Sequence, residues 1–372
     1  MLVYLCIPLV IIFLYFLVYR TGLQKTLFLL LSIVFLFMIS SIRSKTIGAD
    51  SNRYGVAFHI IETYGHYYME KGYEWLNRIV AHFTSNFSVL IITVNILFFL
   101  PLYYYIKKHV DKNYWIYSVL IVALQPYIYL QTTFNIIRQA CAISFVLIGM
   151  HFYINSVKFK HKFTGYILFN ALTIIGAQFH RASYFMLAIP LVFLIKWNKV
   201  KWRVLAFVFL LLNLFDFSRL LIRLERLIGK TNYSNYSASI LDNPAYVLVV
   251  FAFILWLTSS YDKIKIEQWD KRFYDLYIFS ISFLIFAVSN DMVYRMYIML
   301  AIISLPAIQT VVKNDRSVRV KTNNSNSSEG KTGLYTVILF CYYFSFWIGY
   351  ILYLYYTNNS AYIPYRTFFS DV

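Results

Sequence analysis

Phe87–Lys108 reads FSVLIITVNILFFLPLYYYIKK: twenty residues without a charge, then two lysines. An uncharged run of that length spans a bilayer as a helix, and lysines at one end mark the side that stays in the cytoplasm. Working outward, the same unit recurs. Apolar spans are expected at about 2–19, 26–42, 87–106, 114–131, 135–156, 163–179, 183–195, 204–217, 244–260, 273–289, 293–312 and 334–356, twelve in all. Several are shorter than about twenty residues and require tilt, breaks or burial in protein. The whole composition agrees. Hydrophobic residues are 60% of the chain and charged residues only 13%, against about 25% charged in soluble domains. No ten-residue alternation of polarity suggests a membrane barrel. The expected fold class is therefore an all-α integral membrane protein of about twelve transmembrane helices, residues 1–372 forming a single polytopic domain.

The net charge of +18 would suggest nucleic acid in a soluble chain, but here 21 of the 34 Lys and Arg residues fall in alternate short loops. Positive-inside topology accounts for that set, which includes Lys107, Lys108 and Lys112, and no nucleic-acid partner is expected. Both termini are then extracytoplasmic, and the first segment reads as a retained helix with no cleavage site. Segment 43–86 becomes a long extracytoplasmic loop containing an amphipathic helix, with Tyr73, Leu76, Ile79, Val80 and Phe83 as its apolar face. Residues 218–242 form an extracytoplasmic basic amphipathic segment, and 313–333 a flexible cytoplasmic loop. Cys6, Cys141 and Cys341 lie in apolar blocks without metal-ligand spacing and read as packing residues.

In this orientation the unusual polar residues collect at the outer side. Asp50 and Glu70 are the carboxylates of the long loop. Gln131, Asn135, Arg138 and Gln139 fall at helical spacing on one face, either snorkelling or lining a polar cavity. His180 and Arg181 sit where one span gives way to the next, and a lone histidine there is more often a hydrogen-bonded turn residue than an acid or base. Arg219, Arg223, Arg226 and Lys230 share a helix face suited to anionic headgroups or to a substrate. Asn290, Asp291 and Arg295 mark another outer end, and Tyr362, Pro364, Tyr365 and Arg366 a final tail. Guanidinium groups suit a phosphate, because their planar fork gives two parallel hydrogen bonds. A carboxylate can take the proton of an attacking hydroxyl. Walker-type, H-E-x-x-H, Asp-x-Asp and Gly-x-Ser-x-Gly motifs are absent from the sequence. No metal and no cofactor are expected.

These residues resemble the EpsG-type family of membrane proteins, within the Wzy-like polysaccharide polymerases. The resemblance rests on Gly48-Ala49-Asp50 with Tyr54, Glu70-Lys71-Gly72-Tyr73 with Leu76, Asn135-Ile136-Ile137-Arg138-Gln139 with Ala142, and Phe179-His180-Arg181-Ala182. Arg295 with Tyr297 and Tyr362-Ile363-Pro364-Tyr365 add weaker matches. Ala49 and the charged Arg181 depart from the family pattern. The resemblance implies a GT-C-like membrane glycosyltransferase in a bacterial cytoplasmic membrane. It would join polyprenyl-pyrophosphate-linked oligosaccharide repeat units into exopolysaccharide, capsule or O-antigen. Its partners would be that lipid-linked donor, membrane lipids and other polysaccharide assembly proteins. Asp50, Glu70 and His180 would be catalytic. Asn135, Arg138, Gln139, Arg181, Arg219, Arg223 and Arg295 would bind pyrophosphate or glycan. A flippase for the lipid-linked unit, another lipid-linked glycan transferase such as a ligase, and a non-catalytic assembly partner remain alternatives. A transporter would place its ionisable groups nearer the bilayer midplane.

Overall fold

A computed structural model describes residues 2–21, 24–158, 162–214, 244–259, 261, 268–287, 291–320, 333–357, 362 and 364–367. Among the described residues the regular elements are all helices, with one isolated bridge between Arg43 and Thr367. The chain divides into two compact units, one of residues 1–184 with 311–372 and the other of residues 185–310.

In the first unit, α1 (Leu2–Arg20) and α2 (Lys25–Ser41) pair, and α2 packs on α5 (Phe87–His109). Between α2 and α5 lie two helices, α3 (Ser51–Tyr64) and α4 (Lys71–Phe83), where a loop with a single helix was expected. Gly65 separates them at a φ of 74°, the left-handed conformation that closes a helix at little cost for glycine. The expected apolar stripe of α4 is also split. Tyr73, Leu76 and Val80 are buried, whereas Ile79 and Phe83 share the exposed face with Trp75.

The span expected at 114–131 is broken. Helix α6 (Trp115–Leu124) stops two residues before Pro126, which cannot donate to the helix ladder. A π-helical segment (Tyr127–Asn135) follows, then α7 (Ile137–Lys158) and α8 (Lys162–Ala177) pack against each other along their length. π-Helical turns are rare and concentrate at functional sites. This one is held from outside. Gly48 has a φ of 111°, and a Cβ added there would lie 2.0 Å from the carbonyl oxygen of Phe134. The rest of the described unit is the helical stretch 311–320, the helix Leu334–Tyr356 (α15) and the tail after it.

The second unit begins within a 3₁₀ segment (Arg181–Ala188) and continues through α9 (Ile189–Leu194), α10 (Lys199–Leu214), α11 (Pro244–Ser259), α12 (Gln268–Ala287) and α13 (Asp291–Ile303). Its core includes stacked rings of Phe209, Phe279, Phe283 and Phe286, and Trp202 Nε1 donates to Asp275 Oδ1 at 3.3 Å. Helix α14 (Ala307–Val320), which runs across the boundary between the units, carries helical structure into the stretch expected to be a flexible loop at 313–333. Residues 321–332 and the basic segment 218–242 lie outside the described residues.

Among the described residues, four helices are long and apolar enough to cross a membrane: α1, α5, Ile137–Ser156 of α7 and Thr336–Tyr356 of α15. A fifth crossing arises if Val293–Ile303 and Ala307–Lys313, bent by 59°, count as one span. Five of the other expected spans correspond to apolar helices of 10–17 residues. The protein is an all-helical membrane protein, with fewer full-length spans among the described residues than twelve.

Candidate functional site

One end of the first unit gathers polar side chains from five separate stretches. Glu70 precedes α4, and the backbone N–H of Gly72 donates to the Gln178 carbonyl at 2.9 Å. A Cβ on Gly72 would meet that backbone at 3.0 Å, so a glycine permits the approach. Gln178 stands two residues before His180. The contact therefore brings Glu70 Oε1 to 3.8 Å from His180 Nδ1. The other carboxylate oxygen, Oε2, accepts from Nη1 of Arg138, one residue into α7. Nε of Arg138 donates to the Tyr54 hydroxyl at 3.3 Å, and its guanidinium lies 5.5 Å from the Tyr54 ring centre. The cluster is recessed: the side chains of His180, Glu70 and Arg138 are 6%, 12% and 19% exposed. A charge pair so enclosed persists because each partner offsets the other's lost hydration.

One helical turn before Tyr54 is Asp50. Its backbone N–H donates to Asn135 Oδ1 at 2.8 Å, Asn135 Nδ2 donates to Gln131 Oε1 at 2.9 Å, and Gln131 Nε2 donates to the Tyr350 hydroxyl at 3.2 Å. Gln131 and Asn135 do meet, as their spacing suggested. They stand on the π segment, however, and not on one α-helical face with Arg138. Ile136, with φ −100° and ψ 58°, breaks the helix between Asn135 and Arg138. The Asp50 carboxylate makes no hydrogen bond or ion pair with the described residues and is partly exposed.

Beneath this surface lies Arg43, fully buried and not singled out by its sequence context. Nη1 donates to the Ile47 carbonyl and to Ser51 Oγ at 3.0 Å, and Nη2 to the Thr133 carbonyl at 3.5 Å. The guanidinium also sits 5.3 Å from the Phe134 ring centre. Burial pulls Arg43 down to about 10, which leaves it charged at neutral pH. It ties the turn before α3 to the π segment. The tail closes the same end: Tyr4 donates to the Tyr362 carbonyl at 2.8 Å, Tyr365 to the Ile39 carbonyl at 2.6 Å, and Ser44 N to the Arg366 carbonyl at 2.8 Å. The one signal for Arg43 was its place directly after an apolar span, within Ser-Ile-Arg-Ser.

The remaining expected site residues divide as follows. Gln139 is fully buried in α7, and Arg181 is exposed and makes no bond to the cluster. Arg295 is partly exposed on α13 of the second unit. Arg219 and Arg223 lie outside the described residues. Among the described residues, no three His, Cys, Asp or Glu side chains gather to hold a metal ion.

This arrangement defines a class: a multi-pass helical membrane protein whose recessed ion cluster lies at helix ends, beside a row of polar side chains. The comparison with protein families is more specific. The chain matches the EpsG family over residues 26–367. It belongs to that family, a family of Wzy-like polysaccharide polymerases. The match covers every residue of the cluster. No curated protein and no solved structure matches the chain.

Proposed function

We propose that this protein joins lipid-pyrophosphate-linked oligosaccharide repeat units into a surface polysaccharide at the outer face of a bacterial cytoplasmic membrane. In this reading the chain crosses the membrane twelve times with a GT-C-like plan. An acceptor sugar hydroxyl attacks the anomeric carbon of the growing glycan. A new glycosidic bond forms, the bond from that carbon to the pyrophosphate oxygen breaks, and the lipid pyrophosphate departs. The hydroxyl proton passes to a carboxylate.

The observation that supports this reading most is the division of labour between the two carboxylates. Glu70 already holds Arg138, which leaves Arg138 Nη2 without a bond to the described residues, its guanidinium fixed by two contacts, at Glu70 and at Tyr54. A guanidinium set in place before the reaction stabilises charge developing on a leaving phosphate without rearranging. Asp50 carries no such partner and stands one helical turn away. Asp50 is therefore assigned the proton, Arg138 the pyrophosphate, and Glu70 with His180 the positioning of Arg138. The closeness of these groups to helix ends favours chemistry at the surface over transport through the midplane.

The test is chemical analysis of surface glycan in a strain lacking the protein. Single unpolymerised repeat units at the outer surface are expected. Lipid-linked units trapped on the inner leaflet would identify a flippase instead, and full-length polymer would reject both.

A further inference from the structure

The row that runs from Asp50 through Asn135 and Gln131 to Tyr350 is not needed to hold a pyrophosphate, since it contains no cation. Its chemistry is different. Each amide spends one N–H and its carbonyl inside the row, and keeps a second N–H directed elsewhere. The four side chains are partly exposed, so those free positions meet whatever enters. Rings stand beside the row: Tyr127 is edge-on to Tyr350 at 5.7 Å, and Tyr353 lies 6.3 Å from Tyr350. Amide donors, a phenol, a carboxylate and tyrosine rings together suit a ligand that offers hydroxyl groups around an apolar ring face.

The row is also held firmly. Two of its members stand on the π segment, which is braced by the close approach of Gly48 to Phe134 and by Arg43 on the Thr133 carbonyl. Rare π turns of this kind concentrate where their side chains are used.

We infer that this row is the subsite for the acceptor's sugar ring, which it takes through the ring's hydroxyl groups. The inference rests on the polymerase reading above. The attacking hydroxyl then lies beside Asp50, the group assigned its proton.

The probe is the single repeat unit that accumulates in the deletion strain, released from its lipid by mild acid. It is titrated against the purified protein in lipid nanodiscs. Gln131→Ala and the near-isosteric Tyr350→Phe should each weaken its binding roughly threefold to tenfold, the worth of one hydrogen bond. Neither should change binding of inorganic pyrophosphate, which Arg138→Lys should weaken. Normal binding of the unit by both row variants overturns the inference while leaving the polymerase reading intact. Full-length polymer in the deletion strain instead removes the polymerase reading, and this inference with it.

Discussion

The two ends of the first unit differ in the cations they enclose. At the end holding Asp50 and Glu70, Arg43 is fully buried and Arg138 is recessed, each fixed by more than one oxygen, beside exposed Lys45, Arg53 and Lys71. At the other end Lys25, Lys107, Lys108 and Lys112 are all exposed. Their contacts are few: Lys25 reaches Asn113, and Lys107 reaches the Tyr103 hydroxyl at 3.2 Å. The residue type follows the task. Lysine is a strongly hydrated point charge that needs only to stay in water and set orientation, whereas arginine can be enclosed and still satisfy a planar set of acceptors. A count of positive residues treats the two alike, and burial separates charges that set topology from charges that build a site.

Substitutions can break this contrast. The largest loss is expected from Asp50→Asn, which keeps the shape and removes the proton acceptor. Turnover should fall by roughly 10²–10⁴ with donor binding retained, read as polymer formed at matched protein levels. Polymer at the wild-type rate would dismiss Asp50 as the base. Arg138→Lys comes next, with a fall of roughly 10²–10³, because one ammonium cannot keep Glu70 and Tyr54 and also grip a phosphate. Arg43→Met should act on folding more than on chemistry. It strands the Ile47 and Thr133 carbonyls and Ser51, and should lower stability by roughly 1.5–3 kcal/mol in thermal unfolding of the purified protein. A variant as stable as the parent would show that Arg43 is not the tie between α3 and the π segment.

The smallest effect on turnover belongs to the other end. Replacing Lys107, Lys108 and Lys112 together by Gln should change polymer output less than twofold in correctly inserted molecules. It should instead raise the fraction inserted the wrong way round, scored with an impermeant thiol reagent on a cysteine placed near Glu70. A large loss of turnover with orientation unchanged would abolish the distinction between the two ends.

Much of the fold was legible in the sequence. The apolar runs at 2–19, 87–106 and 334–356 correspond to Leu2–Arg20, Phe87–His109 and Leu334–Tyr356. Length and lack of charge suffice to define such helices. The π segment was hidden, because Tyr127–Asn135 has the composition of any interfacial helix, and its backbone is fixed by Gly48 and Arg43, more than eighty residues away in the chain. The division of 43–86 into two helices was missed for a related reason: α3 has almost no apolar periodicity and is held by contacts of Tyr54, Ala57 and Phe58.

Site residues were visible as types but not as partners. Asp50, Glu70, Asn135, Arg138 and His180 stood out as polar groups near apolar spans, and the structure brings all five to one end. That Glu70 holds Arg138, 68 residues later, and so differs in role from Asp50, depends on the fold alone.

The bond from Tyr4 to the Tyr362 carbonyl joins positions 358 residues apart. Its consequence is one of timing. A ribosome delivers α1 to the membrane before it makes Tyr362 and Tyr365. Until then Tyr4 and the Ile39 carbonyl lack the partners that the tail brings them, however long the earlier helices have been in place. A nascent chain stalled before Tyr362 therefore holds its helices without this closing tie.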